Sequence, residues 1–367
     1  MYPSFIVEYG VAPHHLSKEV FIGIVKWLRE TRVEAKHTGR KLEADALKIV
    51  INRIYGALND AMDYLYDPEC TYTVTINLQL LLCGLIEAFE LNNFDVLSAN
   101  TDGLLVRLPL NRQGVFKHIC NEWSVYSKLD LETEKFEKYC RSAVNDYIAV
   151  GYGFYDALQE YNRCGVWIDS KGNTYTTRQA IEDKFIKFKG YFLQDPEYNK
   201  GFVYPVVKKA LKEYFLYGVD ITEFIRNYIN TSRTAIYDYC FSQKVAGKYT
   251  TIYKTVRDGK PVYIKCQKHN RFYICKSGGG AITKAIVPDS DNIAYGDDIS
   301  GIVVEEEKSL VAGQRVALFN DYEYKEDYNL NYGFYINEAY KILYGNGKTG
   351  KGERRGINNN SNNLFGW

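Results

Sequence analysis

An α+β fold is predicted by three observations. Apolar residues keep helical spacing through most of the first 91 residues, two apolar β-type runs flank Asn100 to Gly103, and the stretch from Phe241 to Lys284 is strand-prone. A length of 367 residues suits two or three packed subdomains rather than one minimal core. With 46% hydrophobic and 25% charged residues, a disordered or fibrous chain is excluded. No apolar run is expected to reach the roughly 18 to 20 residues of a membrane span, LQLLLCGLIEAF being too short. The start, MYPSFIVEYG, lacks the basic residues and cleavage site of a signal peptide. The 8 cysteines stand apart, without CxxC or zinc-type spacing, as reduced core residues do. These features place the chain in a cytoplasm.

PSFIVEYG reads as a short strand. Helical spacing runs from about Ser17, a cap residue, to Lys36, and a His-Thr-Gly-Arg turn at 37 to 40 leads into a second helix ending near Leu58. Two helices joined by so tight a turn form an antiparallel hairpin. A third helix, from about Val74 to Leu91, is almost unbroken in apolar residues and is expected to be buried on most sides. DVLSANTDGLLVRLP then has the pattern of a β-hairpin with a tight turn. A helix is expected from about Asn111 to Tyr126, strands in LDLETEKFEKY and NDYIAVGY, and helices from Pro205 to Tyr217 and from Ile221 to Ile229. The Gly- and Asn-rich end, GNGKTGKGERRGINNNSNNLFGW, reads as a flexible tail.

The net charge of +1 conceals two poles. Between Phe241 and Lys284 stand ten Lys or Arg and one acid, Asp258, whereas Val287 to Tyr328 holds eleven acids and three bases. In the basic stretch Tyr249, Tyr253, Tyr263, Phe272 and Tyr273 alternate with Lys and Arg, so that one face can pack while the other meets a polyanion. A merely solvated basic sheet is the plainer alternative. The acidic successor would shield a sheet edge or dock on a partner.

Asp102 is the most informative carboxylate. Asp-Gly is the commonest hairpin dipeptide, so Asp102-Gly103 can be a turn and nothing more. A hairpin tip is equally a way for a sheet to present a hard oxygen ligand to Mg²⁺. Lys48, Asn52 and Tyr55 lie at i, i+4 and i+7 and share one helix face. Arg32 and Lys36 stand at i and i+4 on the partner helix, where they are either a solvated charged face or, with Lys48, a cluster for a triphosphate. The apolar flanks of Lys48 suggest a side chain reaching into a cleft.

The order of MYPS, a Lys-xxx-Asn-xx-Tyr-Gly helix and a TD turn between apolar strands resembles the palm and fingers of a family B DNA polymerase. There the blocks read DxxSLYPS, KxxxNSxYG and YGDTDS. INRIYG, LIEAFE and SANTDG are similar to the polymerases of crAss-like and related tailed phages, and the likeness continues through NDYIAV, KFIKFKGYF and QKHNRFYICKSGG to about residue 290. It implies a right-hand architecture without an N-terminal exonuclease domain. A palm strand would occupy 1–15, a helical-hairpin fingers 16–58, a palm with the catalytic hairpin 59–189, a thumb and C-terminal region 190–345, and the tail 346–367.

The resemblance implies DNA-directed DNA synthesis from dNTP on a primer-template. It assigns Tyr2 to the steric gate under the incoming sugar, Arg32, Lys36 and Lys48 to the triphosphate clamp, and Asn52 and Tyr55 to the nucleotide pocket. Asp102 becomes the catalytic ligand of Mg²⁺, with Asn100 in place of the other aspartate of the DTD block and Lys48 stabilising the leaving phosphates. Thr101, Tyr147, Lys244, Lys248, Lys268 and Arg271 fall to DNA, the latter four in a thumb. The sequence departs from the pattern in two places. The first catalytic aspartate of the family stands four residues before the position of Met1, so two-metal chemistry would need a second carboxylate from outside this chain. Either the reading frame starts at an internal methionine or a separate upstream polypeptide supplies the strand. At NDYIAV the tyrosine of the family's KKxY remains and the lysines do not. LDLETEKF, with Asp130 and Glu132 as DxE, reads as a palm strand rather than an exonuclease motif, with Glu132 or Glu134 near the site. The rival expectation is a non-catalytic subunit or inactive remnant that grips primer-template DNA.

Overall fold

A computed structural model describes residues 1–100, 103–143, 146–190 and 204–344. Thr101, Asp102 and the expected tail, 346–367, lie outside them. The described chain is a mixture of helices and small antiparallel sheets, an α+β architecture. It divides into two compact units, Met1–Glu134 and Lys135–Trp367, at a point inside the segment expected as palm.

In the first unit, the strand expected in residues 1 to 15 is replaced by a helix, α1 (Tyr2–Tyr9). Pro3 in its first turn fixes a helical φ, Gly10 closes it at φ 64°, and Phe5 and Ile6 bury its inner side. α2 (Lys18–His37) starts where expected, the Ser17 hydroxyl accepting from the Val20 N–H. α3 (Lys41–Ala57) follows an Arg40 clamp, whose guanidinium reaches Glu34 at 3.2 Å and Glu43 at 2.8 Å across the turn.

α4 (Pro68–Leu91) begins six residues earlier than predicted, because Asp67 caps it through the Cys70 N–H and Pro68 suits its first turn. Burial on most sides is not what is found. A single stripe, Cys70, Val74, Leu78, Leu82, Leu85 and Phe89, enters the core, while Tyr72, Ile76 and Leu80 are exposed. At 24 residues α4 is, by length and composition alone, long and apolar enough to cross a membrane, which corrects the expectation drawn from its shorter apolar run. β1 (Val96–Asn100) and β2 (Gly103–Val106) form the expected antiparallel hairpin, its register closing at Asn100 opposite Gly103. α5 (Gln113–Ser127) completes the unit; Leu129 to Lys135, expected as strand, is irregular. One core gathers Phe5, Phe21, Leu58, Phe89, Phe94 and Trp123, with Tyr2, Tyr55, Leu104 and Val106 packed on it.

The second unit opens with a sheet of order β3 (Phe136–Ala143), β4 (Asp146–Gly151), β7 (Ile186–Lys189). α6 (Phe154–Cys164), the short pair β5 (Trp167–Ile168) and β6 (Thr174–Tyr175), and α7 (Arg178–Phe185) intervene in sequence. Three helices follow the expected spacing closely or lie beyond it, α8 (Pro205–Tyr217), α9 (Ile221–Asn227) and α10 (Tyr332–Tyr344).

The basic stretch and its acidic successor build two sheets from β8 (Cys240–Lys244), β9 (Thr250–Arg257), β10 (Lys260–Cys266), β11 (His269–Cys275), β12 (Ala281–Ile286), β13 (Glu305–Ser309) and β14 (Arg315–Leu318). Their orders are β10-β9-β12-β13 and β14-β11-β8. Asp258 and Gly259 turn β9 into β10 with φ 50° and 76°, the left-handed pair a tight hairpin demands. Tyr239, Tyr335 and Tyr204 meet edge to face in the core, and the fully buried Tyr335 hydroxyl donates to the Tyr239 carbonyl and accepts from the Ile274 N–H.

Candidate functional site

The helical hairpin of the first unit brings three of the predicted cations together. Arg32 and Lys36 of α2 and Lys48 of α3 line one open recess of about 200 Å³, with Lys41, Asp45, Gly39 and Ala44 completing its wall. Four cations and the single Asp45 line the recess, so its wall is net positive. The Arg32 Nε is buried without a hydrogen-bond partner. Lys48 itself is exposed at the recess rather than sunk in a deep cleft, and its apolar neighbours Ile49 and Val50 are also exposed.

One and two turns farther along α3, Asn52 is exposed and Tyr55 half-buried. The Tyr55 ring stacks on Tyr2, with centroids 4.1 Å apart and planes within 2°. Helix α1 sets this contact: Phe5 and Ile6 anchor its inner side, and Tyr2 packs on the same core as Tyr55. Residues 53 positions apart in sequence thus form one aromatic pair on the face that carries Lys48 and Asn52. Arg53, on another side of α3, is instead committed to Asp60 and Asp63.

Sequence reasoning did not single out Lys41 or Asp45. The signal was available in their place just past the turn, where α3 begins opposite the end of α2. Of Glu132 and Glu134, one of which was expected near the catalytic hairpin, Glu132 lies 3.7 Å from Lys36, and Asp130 lies 3.9 Å from Arg29. These acids thus reach α2 from a segment without a strand partner.

Asp102, the expected metal ligand, and Thr101 lie outside the described residues; Asn100 is the last described residue of β1. Among the described residues no group of three or more His, Cys, Asp or Glu could hold a metal ion.

The candidate DNA-binding residues other than Thr101 belong to the second unit. Tyr147 is half-buried on β4 and stacks on Tyr139 at 5.0 Å. Lys244 is exposed at the end of β8, the Lys268 ammonium donates to the Gly247 carbonyl at 3.3 Å, and Arg271 lies 5.0 Å over the Tyr237 ring. The basic pole is partly neutralised from within. Lys248 pairs with Glu306 at 2.9 Å, which also accepts from the Tyr249 hydroxyl, and Lys254 pairs with Glu307 at 2.6 Å. Both glutamates are held below the usual carboxylate range. For Glu306 the Tyr249 hydrogen bond is the main cause, followed by Lys248. For Glu307, partial burial pushes up and the Lys254 bond overcomes it. Lys265 is buried, its ammonium satisfied by the carbonyls of Ser290 and Ile293. Two glutamates of the acidic segment thus pair with lysines of the basic stretch. No protein-family model and no curated protein matches the chain.

Proposed function

We propose that this protein carries out template-directed DNA synthesis, as a DNA-directed DNA polymerase using dNTP on primer-template DNA in the cytoplasm of an infected bacterial host. The observation that supports the reading best is the convergence of Arg32, Lys36 and Lys48 on one recess, with a Tyr2–Tyr55 stack two turns farther along the α3 face that carries Lys48. A triphosphate matches the first group in charge, and a nucleoside's flat base and sugar match the second. In this reading the primer 3′-oxygen attacks the α-phosphorus, the bond to the β,γ-diphosphate breaks, and the cations stabilise the charge that develops on the departing group. Mg²⁺ is assigned to Asp102 by the resemblance alone.

Binding of a fluorescent dNTP to the whole chain tests the recess. Lys48→Ala and Arg32→Ala are each expected to weaken it about tenfold, the effect of one lost charged hydrogen bond; unchanged affinity in both would sink the reading. In a protein that also carries the DxxS strand, Asp102→Ala should abolish primer extension and leave primer-template binding intact. Primer-template binding with no affinity for dNTP would instead favour a non-catalytic DNA-binding subunit.

A further inference from the structure

Helix α2 carries apolar residues on two sides, and the fold uses one of them. Phe21, Val25 and Leu28 are buried. Val20, Ile24 and Trp27, at i, i+4 and i+7, form a second stripe that is 61%, 50% and 61% exposed. That spacing is the seam of a helix pair, in which every third or fourth residue meets the facing helix. Single apolar residues on a surface are ordinary, but three in one row that ends on a tryptophan have the composition of an interface.

Beside the stripe runs a second row, Glu19, Gly23, Lys26 and Glu30, again three and four residues apart and all exposed. After proline, glycine is the costliest residue for a helix interior. Nothing in the described fold asks for one here, since a Cβ on Gly23 would meet nothing within 4 Å outside its own helix. A second helix would give it a use, because the side chains at a crossing set how closely two helix axes approach.

Charge decides what that second helix is. Glu19 stands one turn before Gly23 and Lys26 one turn after it; Glu19 accepts from the Ser17 hydroxyl at 3.2 Å and stays at the surface. Two copies of α2 laid antiparallel across Gly23 bring the Glu19 of each to the Lys26 of the other, making two unlike pairs. The same register turns Val20 towards Ile24 and Trp27 of the second copy. Laid parallel, glutamate would face glutamate and lysine would face lysine. The row is complementary to itself in one orientation, as an isologous two-fold contact requires.

We propose that α2 pairs antiparallel with α2 of a second copy of this chain, crossing at Gly23 and closing a two-fold dimer. The inference stands on the outer face of α2 and needs no nucleotide at the recess.

Sedimentation velocity of the whole chain over a range of concentrations is the test. A species of two chains is expected and none larger, since an isologous contact closes on itself. Trp27→Ala should weaken the dimer about thirtyfold, the loss of one central aromatic anchor. Gly23→Leu should weaken it about tenfold by holding the helices apart, while the melting temperature of the single chain does not fall, because the position is open within the fold. Glu19→Lys and Lys26→Glu should each weaken the dimer severalfold, and the two together should restore it, because exchanging both charges re-forms both pairs. A chain that stays monomeric at about 100 µM, where even a weak interface is populated, overturns the proposal. So does a dimer that Trp27→Ala and Gly23→Leu leave intact, or a double exchange that associates no more tightly than either single one. A monomer that binds dNTP sinks this inference alone, and a dimer that binds none sinks only the reading of the recess.

Discussion

His14 ties the loop after α1 to the first turn of α4. Its backbone N–H and its ring Nδ1 both meet Asp67 Oδ2 at 2.8 Å, while Asp67 Oδ1 accepts from the Cys70 N–H. Burial pushes the Asp67 carboxyl up, but the N–H groups of Cys70 and His14 and the His14 ring outweigh it and hold it at about 2. The hydrogen bond to Asp67, and then its charge, raise the His14 imidazole above its ordinary 6.5. A raised histidine contributes stability that is full below 6.5 and fades as pH rises through the folded value. A depressed aspartate contributes above its ordinary 3.8 and fades as pH falls towards 2. The pair is therefore strongest between about pH 4 and 6.5. His14→Ala should lower the melting temperature more at pH 5.5 than at pH 8.5, and an equal loss at both would refute the coupling. Nothing at His14 announced this in the sequence, since its partner lies 53 residues away. The Asp67-Pro68-Glu69 cap, by contrast, was legible and was passed over in favour of the apolar run behind it.

Among elements, those read correctly have local causes. α2 was legible from Ser17, α8 from its spacing and Pro205, and the β1–β2 hairpin from alternation around Asp-Gly. The failures come from sequence patterns that compete. PSFIVEYG has strand composition, yet Pro3 and Gly10 bracket one helical stretch. LDLETEK alternates like a strand, but a strand needs a partner and, among the described residues, none pairs with it. The SGGG stretch has a structural use that motif comparison does not reveal. A Cβ on Gly280 would come within 2.2 Å of the Lys254 carbonyl oxygen, and Gly280 pairs with Val316 to join β12 to β14. Gly280→Ala should destabilise the second unit by on the order of 3 kcal/mol, since backbone cannot yield as a side chain does. Chemical denaturation measures it, and a change under about 0.5 kcal/mol, the range of an ordinary surface substitution, would contradict the packing.

At the scale of the whole chain, the near-zero net charge is built from opposed segments that meet as neighbouring strands. Glu306 and Glu307 of β13 occupy Lys248 and Lys254, so an incoming polyanion competes with carboxylates already in place. Glu306→Gln with Glu307→Gln should therefore elute from heparin at higher salt than the parent chain; elution at the same salt would mean that those lysines meet no external anion. The two poles could be counted in the sequence, but not that one would cover the other, because the intervening turns decide which strands become adjacent. β13 is also the outermost strand of its sheet, all five of its residues are exposed, and three of them in a row are glutamates. Such a border is hostile to a second copy: two identical rows of like charge cannot zip together, so the ladder stops at this rim instead of growing into fibrils.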